Sequence, residues 1–238
     1  MEETQQTAPR LSLRAALVRR TAHLLAGTAL WFLCFFVAAG RADVLRAWVY
    51  LAAGLVTLVV NGVIVGRLNP DVIKARAYGG KGTKAFDRIV LVLFTVFMLA
   101  VPVVAGLDAV RFGWSRLPFG WLWIGLGLYA FGSVPIIWAM VANPHLEQTV
   151  RIQEDRDHQA VATGPYRYVR HPMYSGMILQ QLAPPLILGS LWAFVPAGVA
   201  CLTIVVRTAL EDATLRRELS GYEQLVRRTP HRLLPGVW

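Results

Sequence analysis

The fold of this chain turns on its longest charge-free stretch, residues 172–206, PMYSGMILQQLAPPLILGSLWAFVPAGVACLTIVV, 35 residues in all. As one straight helix it would run roughly 52 Å at 1.5 Å per residue, well beyond a hydrocarbon core of about 30 Å. Pro184, Pro185 and Gly189 stand at its middle, where a helix loses amide donors and turns. The stretch reads as two short helices, a hairpin that enters the membrane and returns.

Four more charge-free stretches precede it, at residues 22–40, 47–66, 89–107 and 117–142. Each is close to the 20 or so apolar residues that a spanning helix needs. The whole chain of 238 residues is 55% hydrophobic and only 16% charged, with a mean hydropathy of +0.48. Soluble domains carry roughly 25% charged residues, so a soluble fold and a disordered chain are both excluded. The predicted fold is all-α: a polytopic membrane bundle of four spanning helices followed by the C-terminal hairpin and a polar region. Three segments follow: an N-terminal cytoplasmic piece (1–21), a four-helix transmembrane region (22–142), and a C-terminal region (143–238) holding hairpin and tail.

The net charge of +10 would suggest nucleic acid in a soluble protein, but its placement argues for membrane topology. Of 24 Lys and Arg, 20 fall before residue 22, between the second and third stretches, or after residue 142; only Arg41, Arg46, Arg111 and Arg116 lie opposite. The positive-inside rule then puts both termini in the cytoplasm, in the inner membrane if the source is bacterial. A single pass at residues 172–206 would export the Arg-rich tail, so the charge record supports the hairpin independently.

Smaller features fit this reading. The first stretch, at 19 residues, exceeds the 7–15 of a cleaved signal core and is retained as a helix. Cys34 and Cys201 lie in apolar runs with no CxxC or zinc spacing, so neither disulfide nor metal is expected. Gly62 and Gly66 form a GxxxG that would admit a close helix neighbour. Trp48, Tyr50, Trp114, Trp121 and Trp123 sit where interfacial anchors belong. Asn61 is expected to bond between helices. The GGKGTK of residues 79–84 fails the phosphate-loop spacing and reads as a solvated basic loop.

Chemistry concentrates between His145 and Arg232. Before the hairpin the chain is dense in His, Arg, Tyr and Gly, and Pro172 suits the first helical turn. His171 and Tyr174 therefore lie near a helix N-terminus, which attracts anions. Beyond the hairpin, Arg207 and Glu211 are four apart and share a helical face. A hairpin brings its two ends together, so His171, Tyr174, Arg207 and Glu211 should converge. On spacing alone, snorkelling Arg and Tyr with an i,i+4 ion pair worth a few tenths of a kcal/mol, roughly, fits as well as a site.

The ordered pattern is more specific. His158-x4-Thr163-Gly-Pro-Tyr166-x3-Arg170-His-Pro-x-Tyr174-x-Gly176, a Pro-Pro-interrupted hairpin, then Arg207-x3-Glu211-Asp212 closely resembles the isoprenylcysteine carboxyl methyltransferase family. The tail, Gly221-Tyr222 through Thr229-Pro-x-Arg232-Leu-x-Pro235, matches its usual ending. Upstream, Asn69-Pro-Asp-x-Ile73-x2-Arg76 and Lys84-x2-Asp87 look like the bacterial membrane branch. The resemblance is strong over residues 145–238.

It implies an integral membrane enzyme that takes S-adenosylmethionine as methyl donor and releases S-adenosylhomocysteine. Carried over by position, Gln153, His158, Gln159, Ala160, Val161, Tyr166, His171, Pro172, Met173, Tyr174 and Glu211 would line the cofactor. Arg207 matches the acceptor-side arginine, with Arg170 as a second substrate contact, and Arg207, Glu211 and His171 are the candidate catalytic groups. The physical fit is direct: a sulfonium is a cation, so a carboxylate and aromatic faces suit it. A carboxylate acceptor needs no general base, whereas an amine or thiol would need His171 or His158.

The implied acceptor is lipophilic, taken from among membrane lipids, through carboxylate O-methylation. Phospholipid amine N-methylation and small-thiol S-methylation are the neighbouring alternatives. An NADPH-dependent sterol-type reductase carries a similar hairpin, typically with Asn after the His-Pro pair, where this chain has Met173. A non-enzymatic scaffold is the remaining alternative. Finally, Leu215, Leu219, Tyr222 and Val226 recur at helical spacing beside Arg216, Arg217, Arg227 and Arg228. They predict an amphipathic segment on the cytoplasmic leaflet that covers the cofactor, although Gly221 weakens it.

Overall fold

The computed structural model describes residues 12–77 and 82–238, and no strand occurs among them. Helix α1 (Leu13–Ala39) starts earlier than its charge-free core, so Arg14, Arg19 and Arg20 ride on its first turns. Ser12 caps it by accepting the Ala15 amide at 3.2 Å. Then come α2 (Leu45–Leu68), a short α3 (Pro70–Ala77), and α4 (Ala85–Ala105), which widens into a π turn at Gly106–Phe112. Helix α5 (Gly120–Ala142) completes the first four apolar segments. A loop with two 3-10 turns leads to α6 (Pro172–Leu188), α7 (Phe194–Glu218) and the short α8 (Tyr222–Arg228).

Five of these are long and apolar enough to cross a membrane: α1, α2, α4 with its π turn, α5 and α7. Helix α6 has 17 residues, about 26 Å at 1.5 Å each, and reaches less far. Helices α6 and α7 pack as the expected hairpin, within an all-α polytopic membrane bundle.

The turn, however, is not made by the proline pair. Helix α6 runs through Pro184 and Pro185 to Leu188, and the reversal falls at Gly189, with φ +81°. Side chains from two other connections hold it there. Buried Asp108 accepts the hydroxyls of Ser190 and Ser115 and the amides of Ser115 (2.7 Å) and Trp192 (3.2 Å). Arg46 donates to the carbonyls of Leu117 (2.8 Å) and Ile187 (3.5 Å), the latter at the open end of α6.

The tightest crossing joins α5 to α6. A Cβ on Gly176 would lie 2.4 Å from the Gly132 carbonyl oxygen, and one on Gly132 would lie 2.9 Å from that of Gly176. Gly62, expected to mediate close packing, meets nothing within 4 Å, and Gly66 only the tip of Ile73 at 3.6 Å. Tyr50 also departs from expectation: it packs edge-on against Trp31 and Tyr129 rather than anchoring at the interface. Trp48, Trp114, Trp121 and Trp123 are exposed. Asn61 bonds across to Met140 of α5 as expected, at 3.7 Å. Residues 79–81 of the glycine-rich loop lie outside the described residues; Lys84, at its end, pairs with Glu218 at 2.7 Å.

The amphipathic tail is not one helix. Helix α7 carries Leu215, the chain breaks at Gly221 with φ +79°, and α8 restarts the stripe. Leu219, Tyr222 and Leu225 turn inward against Ile152, Ala160 and Ala162 instead of lying on a lipid surface. A left-handed glycine bends the stripe back onto the polar loop, where its apolar side chains are buried.

Candidate functional site

The ends of α6 and α7, the 143–171 loop and α8 enclose a cleft of about 750 Å³, open mouth included, at the arginine-rich end of the bundle. The chain folds this way locally because two acidic residues organise it. Asp212, fully buried on α7, accepts Arg170 Nε (2.7 Å) and Nη2 (3.1 Å), the Tyr222 hydroxyl (3.0 Å) and Arg232 Nε (3.0 Å). His171 Nε2 stands 3.4 Å away. One carboxylate thus ties α6, α7, α8 and the tail together. The tail also runs alongside the entry to α6: the Arg170 and His171 amides donate to the carbonyls of His231 (3.0 Å) and Arg232 (2.9 Å). Asp87, fully buried on α4, is the second organiser. It accepts Arg207 Nε (2.7 Å) and Nη2 (3.2 Å) and the Val150 amide (2.8 Å).

Every residue expected at the cofactor lines this cleft: Gln153, His158, Gln159, Ala160, Val161, Tyr166, His171, Pro172, Met173, Tyr174 and Glu211. Their surroundings differ. Glu211 accepts the Tyr174 hydroxyl with one oxygen, and the other has no partner among the described residues. The Tyr174 ring lies parallel to that of His171, centroids 5.7 Å apart, and the Arg207 guanidinium sits 5.3 Å from its centre. Gln153 is buried with its amide already spent on the His145 carbonyl and the Arg156 guanidinium, so it shapes the loop. Gln159 is exposed and bonds Asp157 at 3.1 Å. The rings of His145 and His158 lie 5.0 Å apart, and the buried Nδ1 atom of each has no partner. Burial, with the positive charges of His145, Arg151 and Arg156 adding to it, pushes the His158 imidazole down to about 4. It is neutral at pH 7. Burial pushes the Tyr166 hydroxyl up, and it accepts from Asn143 at 3.2 Å.

Arg207 also lines the cleft; beyond Asp87 it donates Nη2 to the Gln148 carbonyl (2.7 Å), while Nη1 makes no hydrogen bond among the described residues. Arg170, expected on the substrate side, also lines the cleft; three of its five N–H groups are engaged, Nε and Nη2 with Asp212 and Nη1 with the Thr229 carbonyl at 2.7 Å, so it also builds the hub. His171 likewise commits Nε2 to Asp212 and Tyr222. Reasoning from sequence missed Asp87 and Asp212 as organisers, although both stand in the quoted motifs. The available signal was scarcity: in a chain with 14 acidic and 24 basic residues, an Asp bordering an apolar run seldom goes unpaired.

An S-adenosylmethionine-sized group suits this donor set. A half-free carboxylate beside two aromatic rings fits a sulfonium, and two buried imidazole nitrogens lack partners that a polar ligand would provide. Residues 121–220 match the family model for phospholipid methyltransferases. No curated protein matches the chain. The class that fold and match define is an enzyme, an integral membrane methyltransferase, and the matched family is S-adenosylmethionine-dependent. Reductase and scaffold readings give way to it.

Proposed function

We propose that this chain methylates the carboxylate oxygen of a lipophilic, isoprenylcysteine-like acceptor at the cytoplasmic membrane surface. Arg207 carries the reading. Asp87 clamps two of its nitrogens and neutralises the pair, while Nη1, without a hydrogen bond among the described residues, leaves this cleft-lining arginine a donor for an acceptor oxygen. S-adenosylmethionine supplies an electrophilic methyl group on a positively charged sulfur. Glu211, with an oxygen that has no partner among the described residues, is suited to balance that charge, and the Tyr166 side chain lines the same cleft. An anionic acceptor and a cationic donor give neutral products, so a cleft that excludes water favours the path. Fixing the acceptor in line is worth several kcal/mol, in order of magnitude, and needs no proton transfer.

A second reading, transfer to the amine of a phospholipid, is favoured by the matched family's description. An ammonium must first lose a proton, and His158, pushed down to about 4, is too weak a base to take it, so this path runs through the free-amine form of the acceptor. Both readings place the cleft in the cytoplasm, where 20 of the 24 basic residues would face.

Purified protein given methyl-labelled S-adenosylmethionine with a farnesylated cysteine, or with phosphatidylethanolamine, tests both. Carboxyl methylation gives an ester whose label is released as methanol by alkali. Alkali-stable label on phosphatidylethanolamine supports the second reading, and label on neither acceptor nor on a total lipid extract rejects both.

A further inference from the structure

Arginines around the cleft have buried carboxylate partners: Arg170, Arg216 and Arg232 on Asp212, Arg207 on Asp87, and Arg151 on Glu147. Two more, just behind its wall, have none. Arg76 on α3 donates Nη1 to the Leu146 carbonyl (3.3 Å) and the Met173 sulfur (3.6 Å), and its Nε is buried without a partner. Among the described residues, Arg20 on α1 reaches only the Met140 sulfur, at 3.9 Å. Thioether sulfur is a weak acceptor and leaves a guanidinium essentially uncompensated. Among the described residues neither arginine forms an ion pair. Burial, with the neighbouring Arg20 charge adding to it, pulls Arg76 down to about 10. Two unneutralised guanidiniums placed together are costly unless an anion joins them.

Their position says which anion. Arg20 stands two residues outside the charge-free core that begins at Ala22, the depth of the lipid headgroups. Leu146 and Met173, which Arg76 touches, line the methyl-transfer cleft. Phosphodiester oxygens are abundant at that depth and match two guanidinium forks. We propose that Arg20 and Arg76 form a subsite for the phosphate of a membrane phospholipid, holding its headgroup against the Met173 side of the cleft. That this lipid is a methyl acceptor rests on the second reading above; that the subsite binds it does not.

Native mass spectrometry of the detergent-solubilised full chain tests this with four probes: phosphatidylethanolamine, diacylglycerol with the same tails, oleate and inorganic phosphate. The expected result is retention of phosphatidylethanolamine, at least tenfold less diacylglycerol, and a tenfold loss of the phospholipid in Arg76→Gln and Arg20→Gln. Arg76→Lys should restore part of it. Thermal midpoints of the Gln variants should equal or exceed the parent's, since a half-buried charge without an ion-pair partner has gone; a merely structural arginine would lower them. Equal retention of diacylglycerol, or of phospholipid in both Gln variants, overturns the proposal. Oleate bound in place of phospholipid would make it a carboxylate site, and displacement by micromolar inorganic phosphate a soluble-anion site; either overturns it. Calorimetric titration of S-adenosylmethionine separates the two claims. Phospholipid bound without the cofactor sinks the methyl-transfer reading alone, and cofactor bound without phospholipid sinks the subsite alone.

Discussion

Glu211 and Arg207 stand one helical turn apart on α7 yet do different work, because their partners differ. Glu211 keeps one oxygen open toward the cleft, whereas Arg207 is held by Asp87. Glu211→Gln should therefore weaken S-adenosylmethionine binding about tenfold or more by calorimetry, with the fold retained. Arg207→Lys, which keeps a cation for Asp87 but loses the guanidinium fork, should leave that affinity within a few-fold and slow transfer at least tenfold, read from single-turnover rates. The imidazole of His158 gives a pH signature. Its folded value of about 4 lies below the ordinary 6.5 of an imidazole in the unfolded chain. Between the two the unfolded chain holds more protons, so this contribution to stability is complete above pH 6.5 and declines as pH falls toward 4. His145 is pulled down by burial in the same sense. Thermal midpoints measured from pH 7 to 4.5 should fall less steeply in His158→Asn than in the parent.

At the scale of elements, the hairpin's position depends on a glycine pair rather than on its prolines. A methyl group on Gly176 would meet the Gly132 carbonyl oxygen at 2.4 Å, against backbone that cannot rotate away. Gly176→Ala should cost about 1–3 kcal/mol, the usual range for overpacking, and lower the thermal midpoint in detergent. Gly62→Ala, with open space around it, should be neutral. The sequence displayed the GxxxG of residues 62 and 66 and concealed the pair that matters, because Gly132 and Gly176 lie on different helices. Local spacing reveals what one helix presents; it does not reveal which neighbour arrives. The tail shows the same limit, since its apolar stripe was legible but its bend onto residues 152–162 was not.

For the whole molecule, Asp212 is the joint at which the hairpin, the polar loop and the tail meet. Asp212→Ala would leave Arg170 buried without its partner, a loss of about 3–5 kcal/mol for a broken buried pair. The expected outcome is a lower thermal midpoint together with loss of cofactor binding, in contrast to Glu211→Gln, which should keep the midpoint. Sequence alone determined the apolar spans, the doubled-back final segment and the separation of basic from sparse ends; the run of cleft residues between 153 and 174 came from the resemblance of its motifs. Hydrocarbon admits only long uncharged helices, and charge follows topology, so these features are written linearly in the chain. Tertiary structure alone decided that Arg170 pairs with Asp212, that Asp87 clamps Arg207, and that Arg76 lies behind Met173. Each of those depends on which distant side chain fills a buried site, and a charge without water must take the partner that packing brings to it.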